Sequence, residues 1–185
     1  MGLACAPRKF VKLLKPVFAK LHNNGFVSSA YLDDTFLQGD TFDICVENVI
    51  ETVKLLSKLG FFVHVRKSIM TPCKQMEHLG FRLDSDNMLI SLTQEKVNKL
   101  YDKIDTVLKT ETPSIRAVAS TIGSIISYIP AIQYGKLHYR DIENEKIIAL
   151  KENRGNFDAS MKLTKAAIVQ LKDPPYWNAY LKGQK

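Results

Sequence analysis

The sequence predicts an α+β fold in which short antiparallel strands lie among amphipathic helices and a helical region follows. Two observations predict it. Over the first 92 residues, helical spacing of apolar residues gives way repeatedly to short strand-like runs bounded by turn residues, and from residue 93 onward the pattern is helical. A chain of 185 residues with 45% hydrophobic residues is also long enough for one domain, or one domain with a small appendage, around a real core.

The first part of the chain predicts two helices around a pair of strands. The stretch PRKFVKLLKPVFAKLHNNG spaces its apolar residues along one helical face and has Pro7 in its first turn, so we expect a helix. Pro16 is expected to kink this helix or to shorten one half of it. The stretch FVSSAYLDDTFLQG is expected to form two strands around a bend. A second helix is expected to begin at Thr41 or Asp43, either of which would cap it, and to end at Gly60.

Further strands follow, and then only helices. FFVHV is expected to be a short strand, and MEHLGFRLDSDNMLISL a hairpin that turns within residues 84–87. After Leu92 we expect a helix capped by Thr93, a second helix that stops near Pro130, and a third over YRDIENEKIIALKEN. The strands are therefore predicted to form an antiparallel sheet with helices on one face, followed by a small helical domain.

The charge of the chain favours a polyanionic partner. The formal net charge is +7, and the first acidic residue is Asp33. Three cations of the first predicted helix (Arg8, Lys12 and Lys15) share one of its faces. This face is expected either to contact nucleic-acid phosphates or simply to be solvated.

The cysteines and the hydropathy indicate the compartment. The three cysteines are widely spaced, odd in number and without metal-site spacing, which is typical of a reducing compartment. No apolar run reaches the length of a membrane span, and the first residues are too polar for a signal peptide. We therefore expect an intracellular protein, cytoplasmic or nuclear, with no membrane partner.

Two adjacent carboxylates, Asp33 and Asp34, lie at the first predicted bend. An aspartate pair in a turn is usually structural, because Asp accepts local backbone hydrogen bonds. The alternative is a metal site, since Mg²⁺ takes one or two carboxylates together with substrate phosphates and water. Because adjacent residues of a strand point to opposite faces, we expect one carboxylate to face a cleft and the other to support it.

Four motifs in this order resemble the C-terminal part of a reverse transcriptase palm. GLACAPRKF is similar to the segment that opens the palm helix beside the incoming nucleotide, and YLDD to the Tyr-x-Asp-Asp hairpin. LGFFVHVRKS resembles the motif whose lysine lies near the leaving pyrophosphate, and HLGFRLD the hairpin that grips the primer end. The region from SIRAVASTIG to GNFDASMKLT resembles the thumb and connection of retroelement polymerases, of the DIRS type or, next, the Ty3-like group.

The resemblance implies Mg²⁺-dependent, RNA-directed DNA synthesis on a primer and template, with a deoxynucleoside triphosphate as substrate. It divides the chain into a partial palm (1–92), a helical thumb (93–157) and the start of a connection toward a ribonuclease H domain (158–185). Asp33 would be the catalytic metal ligand, Asp34 the supporting carboxylate, and Lys67 a general acid. The other implied contacts are Gly2, Leu3, Ala6, Pro7, Tyr31 and Leu32 for substrate, His78, Leu79, Gly80 and Phe81 for the primer grip, and Arg8, Lys12 and Lys15 for nucleic acid.

The family pattern needs one more carboxylate, on a strand that precedes the GLACAPRKF segment. Residues 1–30 contain no Asp or Glu. We therefore expect a fragment that is inactive by itself, because the remaining carboxylates cannot hold two ions at the right separation. A non-catalytic nucleic-acid-binding domain and an inert remnant stay open as alternatives. Tyr31 is expected to pack and set the hairpin, or else to lie near the primer.

Overall fold

The computed structural model describes residues 4–132 and 139–172. In these ranges the chain is α+β, with six α-helices and five short strands. It divides into two compact units, Met1–Cys73 and Lys74–Lys185. This division falls earlier than the predicted boundary at 92/93, and the assignment of the pieces to palm, thumb and connection stays a prediction.

The first unit contains two helices and one hairpin. Helix α1 spans Ala6–Asn23, strands β1 and β2 span Ser28–Tyr31 and Asp34–Leu37, and helix α2 spans Phe42–Lys58. Thr41 caps α2, since its hydroxyl accepts a 3.2 Å hydrogen bond from the Ile44 amide. Of the two caps that the sequence allowed, the structure therefore uses threonine.

The core of the first unit lies between its helices. Leu14, Phe18 and Leu21 of α1 are buried, and partly buried residues of α2 and the flanking loops pack against them. The ring of Phe10 meets that of Phe61 edge-on at 6.3 Å between centroids. Pro16 does not interrupt α1, because the helix continues from Ala6 to Asn23 around it.

The predicted strand FFVHV does not form. Residues 61–64 have no regular structure, and Val65–Lys67 is one turn of 3-10 helix. Phe62 is 89% exposed, so it does not act as a core residue. The segment does not form a strand because no strand that the structure describes pairs with it. In the described part of this unit only β1 and β2 form a sheet, and neither pairs with this segment, whose backbone gains nothing from an extended form.

The second unit begins with a three-stranded antiparallel sheet in the order β3-β4-β5. The strands are β3 (Gln75–His78), β4 (Phe81–Asp84) and β5 (Leu89–Leu92). The β4–β5 connection lies over residues 85–88, one residue later than the predicted turn at 84–87, and the segment predicted as one hairpin forms three strands. The described strands thus form two sheets where one was expected.

Four helices make up the rest of the second unit. They are α3 (Gln94–Lys109), α4 (Ile115–Tyr128), α5 (Arg140–Glu152) and α6 (Lys165–Lys172), and a 3-10 turn, Ile129–Ala131, follows α4. Thr93 and Ser114 cap α3 and α4, because their hydroxyls accept from Lys96 N and Ala117 N. The helices enclose an apolar core in which Ile115, Val118 and Ile142 are fully buried.

A second chain segment is tied to the start of α4. The amides of Ile115 and Arg116 donate to the carbonyl oxygens of Ala159 and Phe157, at 2.9 and 2.7 Å. The Arg116 guanidinium also donates to both carboxylate oxygens of Asp158, at 2.7 and 3.1 Å. This pairing joins the segment that follows α5 to the helical core.

No helix in the two described ranges has the length and apolarity needed to cross a membrane.

Candidate nucleic-acid and metal site

The YLDD motif forms the closed end of the β1–β2 hairpin. Tyr31 pairs with Asp34 across the two strands, so Leu32 and Asp33 form a two-residue turn. Leu32 has a φ of 55°, a left-handed conformation that costs an L-residue roughly 1 kcal/mol. The strained residue therefore precedes the carboxylate that the sequence singles out.

The two carboxylates occupy different positions in the hairpin. Asp33 is a turn residue and Asp34 is the first residue of β2, so strand alternation does not by itself send them to opposite faces. Both are exposed. Tyr31 is 61% exposed, which shows that the predicted packing role is wrong. The turn leaves its aromatic ring and both acids accessible from solvent.

The base of the hairpin is held by a residue that the sequence analysis missed. Asn48 of α2 is fully buried, and its amide donates to the carbonyl oxygens of Val27 at 2.8 Å and Gln38 at 2.9 Å. The Thr52 hydroxyl donates to Asn48 Oδ1 at 3.1 Å. The signal in the sequence is weak, since Asn48 and Thr52 are two polar residues four positions apart in the predicted helix.

The chain between β2 and α2 approaches the helix closely. A Cβ on Gly39 would lie 2.5 Å from the backbone nitrogen of Cys45, which is closer than real Cβ contacts come. Glycine is therefore required there by space and not by a positive φ. This contact and the Asn48 hydrogen bonds fasten the same end of the hairpin.

Helix α1 presents the predicted basic face. Arg8, Lys12 and Lys15 are exposed, and none of them forms an ion pair within residues 4–132 and 139–172. Ala6 and Pro7 are exposed residues of the first turn, which contains no acidic side chain. Gly2 and Leu3, also predicted as substrate contacts, lie outside the described residues.

Lys67 lies at the end of the 3-10 turn Val65–Lys67 and is exposed. Its backbone amide donates to the carbonyl oxygen of His64 at 3.0 Å, and the Ser68 hydroxyl donates to the same oxygen at 3.0 Å. These bonds order the backbone around Lys67. Its side chain is free of ion pairs in the described part of the chain, and the role as a general acid stays a prediction.

The predicted primer grip is the turn between β3 and β4. His78 pairs with Phe81, and the two turn residues, Leu79 and Gly80, have φ values of 51° and 73°. Two positive φ angles define the tight hairpin turn that suits the twist of antiparallel strands. The four predicted residues therefore form one structural unit.

A lysine of α3 lies against this turn. Lys96 Nζ donates to the carbonyl oxygen of Leu79 at 2.8 Å and lies 4.1 Å from the centroid of the Phe81 ring. It also lies 5.3 Å from the centroid of the Tyr128 ring. Burial lowers the pKa of Lys96 from its ordinary value. Sequence reasoning missed this residue because its partners come from β4 and α4.

The metal-binding potential of the described residues rests on the aspartate pair. Nowhere in the described ranges do three or more His, Cys, Asp or Glu side chains come together as a metal site. The donor type at Asp33 and Asp34 does suit Mg²⁺, which accepts one or two carboxylates and fills its remaining positions with phosphate and water oxygens. Any further ligands would come from substrate, solvent or other residues.

Comparison with known proteins finds similar folds among solved structures. No family model matches the sequence, and no curated protein matches it either. Two solved structures of the foamy viral protease-reverse transcriptase do match, each at 16% identity and over 94% of this chain. The TM-score is 0.62 for the form of that protein designated dRH, in complex with double-stranded DNA. It is 0.64 for the protein in complex with an RNA/DNA hybrid.

The fold is that of part of a reverse transcriptase. The chain spans 28% and 21% of the length of those two proteins, so it matches only a portion of each. At this level of identity the likeness concerns the fold, which agrees with the resemblance that the four motifs carry.

Proposed function

We propose that this chain is the catalytic-hairpin and thumb portion of a retroelement reverse transcriptase and that it binds a primer–template duplex. One observation carries the proposal. In a chain with a reverse-transcriptase-like fold, the motif YLDD forms a tight hairpin whose two exposed carboxylates lie at the turn. The motif resemblance favours a retrotransposon of the DIRS type or the Ty3-like group.

The proposed chemistry assigns a role to each of three side chains. Asp33 and Asp34 would hold Mg²⁺, which would supply charge stabilisation for transfer of a deoxynucleotide to a primer 3′ hydroxyl. Asp33 would be the direct ligand, since it lies in the turn, and Asp34 would support it from β2. Lys67 would donate a proton to the leaving pyrophosphate.

The proposed nucleic-acid contacts come from two regions. The exposed basic face of α1 (Arg8, Lys12 and Lys15) would contact phosphates, and the turn formed by Leu79 and Gly80 would contact the primer end. The two foamy viral structures contain double-stranded DNA and an RNA/DNA hybrid. Both ligands have the double-stranded form that a primer–template duplex would present.

The 185 residues by themselves are proposed to bind primer–template but not to extend it. Two-metal catalysis needs carboxylates that hold both ions about 3.5–4 Å apart, and Asp33 and Asp34 alone do not meet that need. The second candidate function is therefore a non-catalytic nucleic-acid-binding domain. It is favoured by Arg8, Lys12 and Lys15 of α1, which form no ion pair with any residue that the structure describes. An inert remnant is the third.

Two assays separate these functions. Fluorescence anisotropy with a labelled primer–template should show binding that weakens steeply with salt, because phosphate contacts release counterions. Primer extension on RNA and DNA templates with Mg²⁺ or Mn²⁺ should show no product. Synthesis that Asp33→Ala abolishes would contradict the inactivity of the chain alone, and an absence of binding at low salt would leave the inert remnant.

A further inference from the structure

Asn48 is a buried amide whose polar atoms are all engaged. Its side chain is fully buried, both hydrogens of Nδ2 are directed to carbonyl oxygens, and Oδ1 accepts from Thr52. Burying an amide without hydrogen-bond partners would destabilise the folded chain. The side chain is stable there because Val27, Gln38 and Thr52 supply those partners.

The two carbonyl groups belong to the residues that bracket the hairpin. Val27 directly precedes β1 and Gln38 directly follows β2. These two residues are themselves joined, because the Gln38 amide donates to the Val27 carbonyl oxygen at 3.0 Å. One amide of α2 therefore binds both ends of the hairpin at the point where they meet.

The hairpin needs such a support. Each of its strands has four residues, and a two-stranded hairpin is marginally stable by itself in water. Its turn also contains Leu32 in a strained conformation. A strained turn persists only when the structure around it holds it. The described contacts at the opposite end of the hairpin are made by Asn48 of α2 and by Gly39, which approaches α2. His22 of α1 adds to them, since its Nε2 lies 2.9 Å from Ser28 Oγ and 3.1 Å from the Ser28 carbonyl oxygen.

We propose that Asn48 is a positioning residue for the carboxylates of the YLDD turn. By fixing the base of β1 and β2 to α2, it sets the orientation of the turn that presents Asp33 and Asp34. Thr52 fixes the orientation of the Asn48 amide. Its hydroxyl donates to Asn48 Oδ1, which leaves the two Nδ2 hydrogens directed at the carbonyl oxygens. The metal-related part of this inference rests on the proposed function, and the anchoring of the hairpin does not.

The replacement Asn48→Asp tests the inference with almost no change of shape. It removes both donors and places an acceptor against two carbonyl oxygens, so the anchor is lost while the volume is kept. Amide hydrogen exchange measured by NMR should then show β1 and β2 losing protection by about ten- to thirty-fold relative to α1 and α2. Thr52→Val should cause a smaller loss in the same strands and serves if Asn48→Asp does not fold.

Leu14→Ala is the matched control, because Leu14 is a buried core residue of α1 that belongs to the α1–α2 cluster. It should lower protection throughout the first unit without selecting the hairpin. A uniform loss in both Asn48→Asp and Leu14→Ala would overturn the inference and reduce Asn48 to an ordinary core residue.

A metal titration separates the failure of this inference from the failure of the proposed function. Mn²⁺ should broaden the amide signals of residues 32–35 in the unsubstituted chain, and Asp33→Asn should abolish the effect. At the same Mn²⁺ concentration the broadening should be lost in Asn48→Asp and kept in Leu14→Ala. If the unsubstituted chain shows no broadening, the metal role fails, and the exchange data still decide whether Asn48 positions the hairpin.

Discussion

Lys96 donates a 2.8 Å hydrogen bond to the backbone carbonyl of Leu79 and thereby joins α3 to the turn of the predicted primer grip. The same ammonium lies over the ring of Phe81, the residue that closes that turn. The helix and the turn are 17 residues apart at this contact. The shape of the turn thus depends on a side chain outside the motif by which it is recognised.

Replacement of Lys96 by methionine should loosen this turn. The variant loses a hydrogen bond and a cation–π contact but also relieves the cost of burying a charge, so we expect a net destabilisation of about 1 kcal/mol. Urea unfolding followed by circular dichroism would measure the free energy, and amide exchange of β3 and β4 would locate the change. Unchanged stability would mean that the cost of burying the charge equals the gain from both contacts, and raised stability would mean that it exceeds that gain.

Gly80→Ala should be more damaging than a comparable change elsewhere. Gly80 has a φ of 73°, and a Cβ there would lie 2.4 Å from Cε of Lys96, so this flexible side chain would have to shift and weaken its hydrogen bond to the Leu79 carbonyl oxygen. Gly25 has a φ of 88° and no atom within 4 Å of such a Cβ, so Gly25→Ala measures conformational strain alone. We expect about 1 kcal/mol from strain in both variants, and a further loss in Gly80→Ala only.

A double substitution isolates that further loss. In the background Lys96→Ala the clash disappears, so Gly80→Ala should then cost no more than Gly25→Ala. Equal costs of Gly80→Ala in both backgrounds would contradict the contact between Gly80 and Lys96.

The Arg116–Asp158 pair should make the helical unit sensitive to acid. The hydrogen bonds and charge of Arg116 hold the pKa of Asp158 below its ordinary value. A carboxyl with a depressed pKa in the folded state contributes stability above the unfolded pKa of about 3.9, and that contribution is lost as the pH falls through the folded value. Thermal unfolding of Asp158→Asn should therefore depend less on pH below 4 than that of the unsubstituted chain.

This effect should be small, because both side chains are mostly exposed to solvent. The matched control is Asp105→Asn, which removes another exposed pair, with Lys109, inside α3 alone. Identical pH profiles of Asp158→Asn and the unsubstituted chain would show that the pairing of residues 157–161 with α4 depends on backbone hydrogen bonds.

The basic face of α1 should carry part of the affinity for nucleic acid. Replacing Arg8, Lys12 and Lys15 by glutamine should weaken primer–template binding and reduce the slope of log K against log salt by roughly one for each lost phosphate contact. The control replaces three cations that already have carboxylate partners (Lys54, Lys74 and Lys109) and removes the same charge. Equal losses in the two variants would indicate a general charge effect.

Local patterns were enough to predict most elements but not the contacts that position them. Apolar spacing predicted the helices, and Thr93 caps α3 as expected. The hairpin at YLDD followed from turn residues between β-prone runs. Asn48 and Lys96 could not be found in this way, since the backbone carbonyl groups to which they donate lie 10 to 21 residues away along the chain. The strand prediction for FFVHV was wrong for the same reason, because a strand forms only when a distant segment pairs with it.

Photocrosslinking would show whether the YLDD turn lies at the primer 3′ end, as its proposed role in nucleotide transfer requires. A primer with a 4-thiothymidine at its 3′ terminus, annealed to an RNA template, would be irradiated with the chain and the crosslinked peptide identified by mass spectrometry. We expect a crosslink within residues 31–34, which is absent when the same nucleotide is placed ten positions upstream. Crosslinks from the 3′ terminus that fall only elsewhere in the chain would contradict that role.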